Sequence, residues 1–354
     1  MKNKTKLRQA LGDALLEIII YLAFFAIGAL AVILFGGRLD SETLDFDLIA
    51  LIGIAALLLV AASLRLLFLF IGKSRKKNAK KGNTGASVTK KCTESPPLAY
   101  TFTVDDNIRF LREINEGDYK SIFDHPYLAM YKRLYGIFGV KVQLNLFYED
   151  EKFDLSEMTD RYREEWAAAS GWLLLSFHSR LENKSPYEGA SYDEVFSDCA
   201  AVQNEIIRFA SESALAKTTT IHYCLATADG CRALGDNGVM GLLGLYGTEA
   251  MPRTSYQCTE EEAKRIRGGK AVKKDGIYYA AIDVILNRHT RAEISEHITA
   301  LLGRPRVKIM IHEQYFYEDY KSYQPDFEDK LYDAFFLLRA NGYESVFFED
   351  IIEN

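Results

Sequence analysis

The five cysteines, Cys92, Cys199, Cys224, Cys231 and Cys258, include no CxxC pair, which excludes a zinc finger or a thioredoxin-type motif built on that spacing. Their odd number and scattered positions read as free thiols in a reducing compartment, not as a disulfide framework. No glycine-rich dinucleotide or phosphate fingerprint follows the first strand-like segment, which argues against a Rossmann fold. The main part of the chain also lacks a basic excess. The net charge is −6, and the segment before about residue 95 is basic and apolar, so the remainder is acidic. An acidic main domain speaks against nucleic acid as a partner.

What the chain has first is two long apolar runs, Ile18–Phe35 and Leu48–Leu64, the second continuing past Arg65 to Ile71. Each approaches the ~20 residues that a helix needs to cross ~30 Å of hydrocarbon. The first lacks a small-residue cleavage site, and a second run follows closely, so a cleaved signal peptide is the weaker reading. The expectation is a transmembrane hairpin over residues 1–72, with spans at about 18–35 and 48–71 and the lipid bilayer as partner. Lys2, Lys4, Lys6 and Arg8 precede the first run, and Lys73, Arg75, Lys76, Lys77, Lys80 and Lys81 follow the second. The intervening loop sets Arg38 against Asp40, Glu42, Asp45 and Asp47. By the positive-inside rule both ends face the cytoplasm, which makes the protein a multi-pass cell-membrane protein with its main domain on the cytoplasmic side. Residues 73–97, rich in Lys, Asn, Gly and Ser, have no apolar period and read as a flexible basic linker.

Strand-like and helix-like segments alternate over 98–354. Strands are expected at Leu98–Val104, Lys141–Phe147, Trp172–His178, Thr218–His222, Val239–Tyr246, Ala281–Leu286, Val307–His312 and Ser345–Phe348. Helices are expected at Pro126–Phe138, Met158–Ala169, Tyr192–Ala210 (with a Ser191/Glu194 capping box), Ala228–Leu234, Ala292–Leu302 and Phe327–Asn341. Residues 250–280 break the rhythm and read as an insertion over one rim, with a hairpin turn at Lys274-Asp275-Gly276. Regular alternation implies a parallel sheet with helices outside, and seven or eight strands favour a deformed (β/α)7-8 barrel. In such barrels the chemistry sits at the C-terminal strand ends, where Asp105, Asp106, His178, His222 and His312 all fall.

Adjacent carboxylates at a strand end point in different directions, so one can hold a cation while the other handles a proton. Imidazoles with a carboxylate suit a divalent transition metal: zinc first, with manganese, cobalt or iron as alternatives. Three protein ligands leave a position for water, whose pKa the ion lowers toward ~7. The competing reading for each residue is a turn, a cap or a structural histidine. Tyr315, Phe316, Tyr317, Tyr320 and Tyr323 follow His312 and offer either sugar-stacking faces or core packing.

Three segments resemble motifs of polysaccharide deacetylases of the carbohydrate esterase 4 type. Thr103-Val104-Asp105-Asp106-Asn107 is similar to that family's Thr-Phe-Asp-Asp-Gly. His178-Ser179-Arg180-Leu181-Glu182 is similar to His-Ser/Thr-x-x-His, with Glu182 where the family has its second histidine. Met310-Ile311-His312 is similar to Leu-x-His. The nearest counterparts of the family's arginine and Asp-x-Trp motifs are Arg253 and Asp283. The resemblance implies Asp105 as catalytic base, Asp106 and His178 as metal ligands, and His312 as general acid. For the third ligand, His222 at the next strand end is preferred and Glu182 is the alternative. Arg180, Glu313 and Tyr315 are expected to touch substrate. The implied function is metal-dependent removal of an acyl group from an N-acetylated sugar or related amide. The alternative is a catalytically degenerate barrel serving as a membrane-tethered glycan-binding or scaffold protein.

Overall fold

The computed structural model describes residues 97–182, 185–247 and 253–352. The chain divides into two units, Met1–Cys92 and Thr93–Asn354. The expected spans at 18–35 and 48–71, and the linker apart from Pro97, lie outside the described residues. Among the described residues no helix is long and apolar enough to cross a membrane.

The second unit is an α/β fold on parallel strands. Its strands are β1 (Ala99–Asn107), β2 (Val142–Phe147), β3 (Leu173–Ser179), β4 (Thr218–Thr219), β5 (Gly241–Gly244), β6 (Val272–Lys274), β7 (Ile277–Ala281), β8 (Val284–Ile285), β9 (Arg306–His312) and β10 (Glu344–Ser345). Its helices are α1 (Arg109–Glu116), α2 (Pro126–Phe138), α3 (Arg163–Ala169), α4 (Tyr192–Phe209), α5 (Ala228–Asp236), α6 (Glu260–Arg267), α7 (Arg291–Leu301), α8 (Phe327–Ala340) and α9 (Glu349–Ile352). One sheet runs β3-β2-β1-β9-β8, with β10 beside the start of β1, and a second runs β4-β5-β7-β6.

The two sheets meet at both edges. On one side Leu175 and Leu215 form a parallel bridge, and Ala216 N–H donates to the Leu175 carbonyl at 2.8 Å. On the other, consecutive residues turn to opposite neighbours: Ile282 N–H donates to Gly244 of β5 and Asp283 N–H to Lys308 of β9. β7 and β8 are thus one strand broken at Ile282-Asp283, and seven parallel strand positions follow one another around an irregular barrel.

The strands alternate as a covered parallel sheet requires. On β1, Tyr100 and Phe102 point outward and pack against Phe335 of α8, with Phe102 also against Tyr131 of α2. Thr101, Thr103 and Asp105 occupy the alternate positions and are buried too. On β2, Gln143 and Asn145 look polar in sequence, yet both are buried and tied together. The Gln143 amide donates to Asn145 Oδ1 and to the Thr218 carbonyl, each at 2.8 Å. The interior of the barrel is therefore polar, hydrogen-bonded around Gln143 and Asn145 but with the Thr101 and Thr103 hydroxyls unpartnered among the described residues, and the apolar core lies between strands and helices.

Two expectations need correction. Residues 250–280 are an insertion only in part, because Ile277–Ala281 is the strand that pairs with β5. The added piece is α6 and β6, with β6 returning antiparallel onto β7 through a two-residue turn in which Asp275 and Gly276 have φ of 50° and 85°. The expected strand Thr218–His222 ends at Thr219. The four described cysteines are free and buried.

Candidate metal centre

The end of β1 sets the site. Its pairing with β2 shifts register between Val104 and Asn107, and Asp106 sits in the left-handed region at φ 64°. Aspartate tolerates that conformation better than most residues, at a cost of about 1–2 kcal/mol. Asn107 holds the bulge in place, its side-chain amide donating to the Val104 carbonyl at 2.6 Å and to Asn145 O at 3.1 Å. The bulge turns Asp105 and Asp106 to different partners.

Asp106 Oδ1 lies 3.0 Å from His178 Nε2 and 3.2 Å from His222 Nδ1, and the two ring nitrogens are 3.1 Å apart. A tetrahedral ion with bonds of 2.0–2.2 Å separates its ligands by about 3.3 Å, so this triangle has the size of one face of a zinc coordination shell. Among the described residues it is the one cluster of three or more histidine, cysteine or carboxylate groups close enough to share an ion. The tautomer of His178 suits this role, whereas His222 Nε2 is buried without a partner among the described residues. His178 Nδ1–H donates to the Thr220 carbonyl, which leaves Nε2 to face Asp106 and is the outer-shell arrangement that orients metal-binding histidines. Gln314 donates to Asp106 Oδ2 at 2.8 Å, which fixes the carboxylate plane. His222 reaches the site from a tight turn, His222–Cys224, in which Tyr223 and Cys224 have φ of 61° and 58°. The side chains of Asp106, His178 and His222 are at most a tenth exposed.

The electrostatics reflect how closely these groups sit. Burial opposes charge on Asp106, but the hydrogen bonds from His178 and His222 prevail and hold its pKa well below the usual carboxylate range. Burial also opposes a charged His178, yet Asp105 and Asp106 together raise its pKa above 6.5. Burial lowers the pKa of His222 and of His312. An ion binding at His178 Nε2 must therefore displace a proton held more firmly than in free histidine. Zinc affinity should fall by about tenfold per pH unit below the His178 titration, which lies above 6.5. Competition titrations at pH 8, 7 and 6 measure this, and an affinity that does not change across that range would contradict the ligand assignment.

Asp105 and His312 flank the triangle and face each other across the β1–β9 ladder as direct partners. Asp105 is buried and accepts from Asn145 Nδ2 at 2.7 Å, and burial pushes its carboxyl up to about 6. His312 bonds through Nδ1 to Asn287 Oδ1 at 2.9 Å, which leaves Nε2 without a partner. A cavity of about 330 Å³ is lined by Asp105, Asp106, His178, His222, His312, Tyr315 and Tyr320. A wider cleft of about 740 Å³ shares Asp106, Glu182, Gln314 and Tyr320 with it.

Of the remaining expected residues, Tyr315 lines the cavity, its ring 6.2 Å from that of His312. Arg180 does not; it lies over Tyr148 and pairs with Glu149 at 3.0 Å and Asp198 at 3.7 Å. Asp283 sits at the sheet seam, paired with Lys308 at 3.1 Å. Glu182 lines both cavities but lies outside the ligand triangle. Glu313 lines the wider cleft and also has a structural job. Its carboxylate accepts from the backbone N–H groups of Ile108, Arg109 and Phe110, at 2.8, 3.2 and 2.7 Å, and from the Tyr317 hydroxyl. It therefore caps the start of α1 from the end of the neighbouring strand β9, and burial pushes its carboxyl up to about 7 against those donors. Glu313→Ala should cost about 2–4 kcal/mol by orphaning these donors, lowering Tm by several degrees. A thermal melt checks this, and a shift within a degree would contradict the capping role. Asn145 and Asn287, the partners of Asp105 and His312, went unrecognised in the sequence. Their one signal is a polar residue at or near the end of a strand buried on both faces.

No protein-family model matches the sequence, and no curated protein matches it. Solved structures with a similar course of chain include a proposed polysaccharide deacetylase from Mycobacterium smegmatis, at 14% identity over 77% of this chain and 93% of that one, with a TM-score of 0.46. A 4-alpha-glucanotransferase from Thermococcus litoralis aligns at 11% identity over 73% of this chain and 41% of its own, with a TM-score of 0.49. A carbohydrate esterase family 4 pseudoenzyme from Bacillus anthracis aligns at 11% over 72% and 65%, with a TM-score of 0.34. This chain thus spans less than two thirds of the last two. At such identities a shared chain course does not carry a shared reaction.

Proposed function

We propose that residues 98–354 form a deformed (β/α)7 barrel of the deacetylase type that hydrolyses an N-acyl bond on a sugar or related amide with the help of a divalent metal, zinc first. The supporting observation is the convergence of Asp106, His178 and His222 within 3.2 Å of one another, with Asp105 and His312 beside them in one cavity. These three residues would hold the ion, which when bound supplies Lewis-acid polarisation of the acyl carbonyl and an acidified water. Asp105, oriented by Asn145, takes the proton of the attacking water. His312, oriented by Asn287 through Nδ1–H, would take up a second proton at Nε2 and pass it to the departing amine, and its burial-lowered pKa makes the doubly protonated ring a readier donor. Tyr315 and Tyr320 offer faces on which a sugar ring packs.

Anchoring by residues 1–72 with the domain on the cytoplasmic side is part of this proposal and rests on the charge pattern of the sequence. A cytoplasmic deacetylase would act on a small or lipid-linked precursor and not on a finished wall polymer. The second reading, a degenerate barrel that binds glycan or recruits partners without turnover, is favoured by one observation: Glu182 stands where the deacetylase motif has its second histidine. Acetate release from N-acetylated amino sugars and their oligomers, assayed with the zinc-loaded full chain, separates the two. Turnover that disappears on chelation supports the hydrolase, and a zinc-loaded protein inert on all of them supports the degenerate reading.

A further inference from the structure

Two cations in the catalytic cavity have no part in the chemistry described above. Arg253 and Arg288 are both exposed, and both line the 330 Å³ cavity with His222 and His312. Among the described residues, neither has a carboxylate within ion-pair distance, in contrast to the arginines around the wider cleft. There Arg109 pairs with Glu113 and Asp319, and Arg112 pairs with Asp150. Of the carboxylates of the catalytic cavity, Asp105 is engaged by Asn145, and Asp106 by the two histidines and Gln314; Glu182 also lines the cavity, but pairs with neither arginine.

The backbones carrying both arginines are braced at the rim. Arg253 donates through Nη2 to the Tyr223 carbonyl at 2.7 Å, and its own carbonyl accepts from Gly247 N–H at 3.0 Å. The antiparallel bridge Tyr246–Thr254 closes the base of that loop. Arg288 ends the turn Leu286–Arg288, where Asn287 Oδ1 accepts from His312 and the Asn287 carbonyl accepts from Gln324 at 2.8 Å. Cys224 lines the same cavity, and both guanidinium charges oppose the rise that burial gives its pKa. Two like charges held around one small concavity, close to a site for a dication, focus a positive potential there, and the planar fork of arginine matches an oxyanion bidentately.

We propose that Arg253 and Arg288 form a clamp for an oxyanion, a carboxylate or phosphate, that the substrate carries beside its scissile amide. The role given to the substrate rests on the deacetylase reading, but the clamp itself does not require turnover. It makes the preferred substrate an acidic N-acyl compound and not a neutral one.

The test is calorimetric titration of the full chain with inorganic phosphate and, separately, with acetate, comparing wild type, Arg253→Gln, Arg288→Gln, the double variant and His178→Ala. The expected result is saturable binding of at least one anion by wild type, and the stronger of the two identifies the group. The double variant should weaken it by about tenfold or more, each single variant by less, with zinc content unchanged. His178→Ala, which loses the ion, should still bind the anion. Wild-type-like binding by the double variant, or anion binding lost in His178→Ala alone, overturns the clamp by placing the anion on the metal. Absence of saturable binding by wild type overturns it as well. A wild type found without zinc whose anion binding still depends on both arginines keeps the clamp and removes the hydrolase reading.

Discussion

Asp105→Asn should lower the turnover of the zinc-loaded protein by about 10²–10⁴-fold, the range that a positioned general base supplies, while leaving zinc content at the wild-type level. The two effects separate because the bulge at the end of β1 gives neighbouring carboxylates different neighbours. Asp105 Oδ1 meets only Asn145, whereas Asp106 meets both imidazoles. An asparagine at 105 keeps the shape and retains a hydrogen-bonding amide beside Asn145, so the fold is not at risk, but it cannot accept a proton from water. Steady-state acetate release together with elemental analysis of the same preparation measures both quantities. Unchanged turnover would remove Asp105 from the mechanism, and loss of zinc would make it a ligand instead.

The second large effect concerns the third ligand. His222→Ala should weaken zinc binding by more than about 100-fold, because even outer-shell partners of a metal site cost 10–100-fold. Glu182→Gln should change it by no more than about threefold on the same reasoning. The geometry decides between them. His222 Nδ1 completes a triangle with sides of 3.0 to 3.2 Å, while Glu182, exposed, lines both cavities outside that triangle. Competition of each variant against a chromogenic zinc chelator gives the ratio. The reverse order of effects would move the centre toward the β3 loop.

Much of the barrel was legible because its strands are simple. β1, β2, β3 and β9 are apolar or alternating runs whose observed bounds lie within a few residues of the expected ones, and α2 runs over Pro126–Phe138 as its opening proline and closing Gly139 suggest. The Lys274-Asp275-Gly276 turn was legible for the same local reason, since residues that tolerate positive φ mark a two-residue hairpin. Long-range partners were not legible. Glu313 follows His312 directly, and nothing local says that its carboxylate reaches back some two hundred residues to cap α1. Ser191 and Glu194 spell a reciprocal capping box, yet the cap bond described is the Ser191 oxygen accepting from Glu194 N–H. His222 was placed at the right rim for an incomplete reason. The β4 strand stops at Thr219, and a turn with two residues at positive φ brings the ring to the site. Backbone strain of that kind has no sequence signature among Tyr, Cys and His. Arg180 has its partners close at hand: Glu149 and Asp198 pair with it, and it does not line the catalytic cavity.

The central claim is that Asp106, His178 and His222 hold one divalent transition metal. Its most direct test is elemental analysis of the full chain purified without chelator, alongside His178→Ala and His222→Ala prepared in the same way. About one zinc, or one manganese, cobalt or iron, is expected per wild-type chain, and under about a tenth of that in either variant. A wild-type protein that carries no transition metal and takes up none on dialysis against zinc, or variants that keep it in full, would contradict the account.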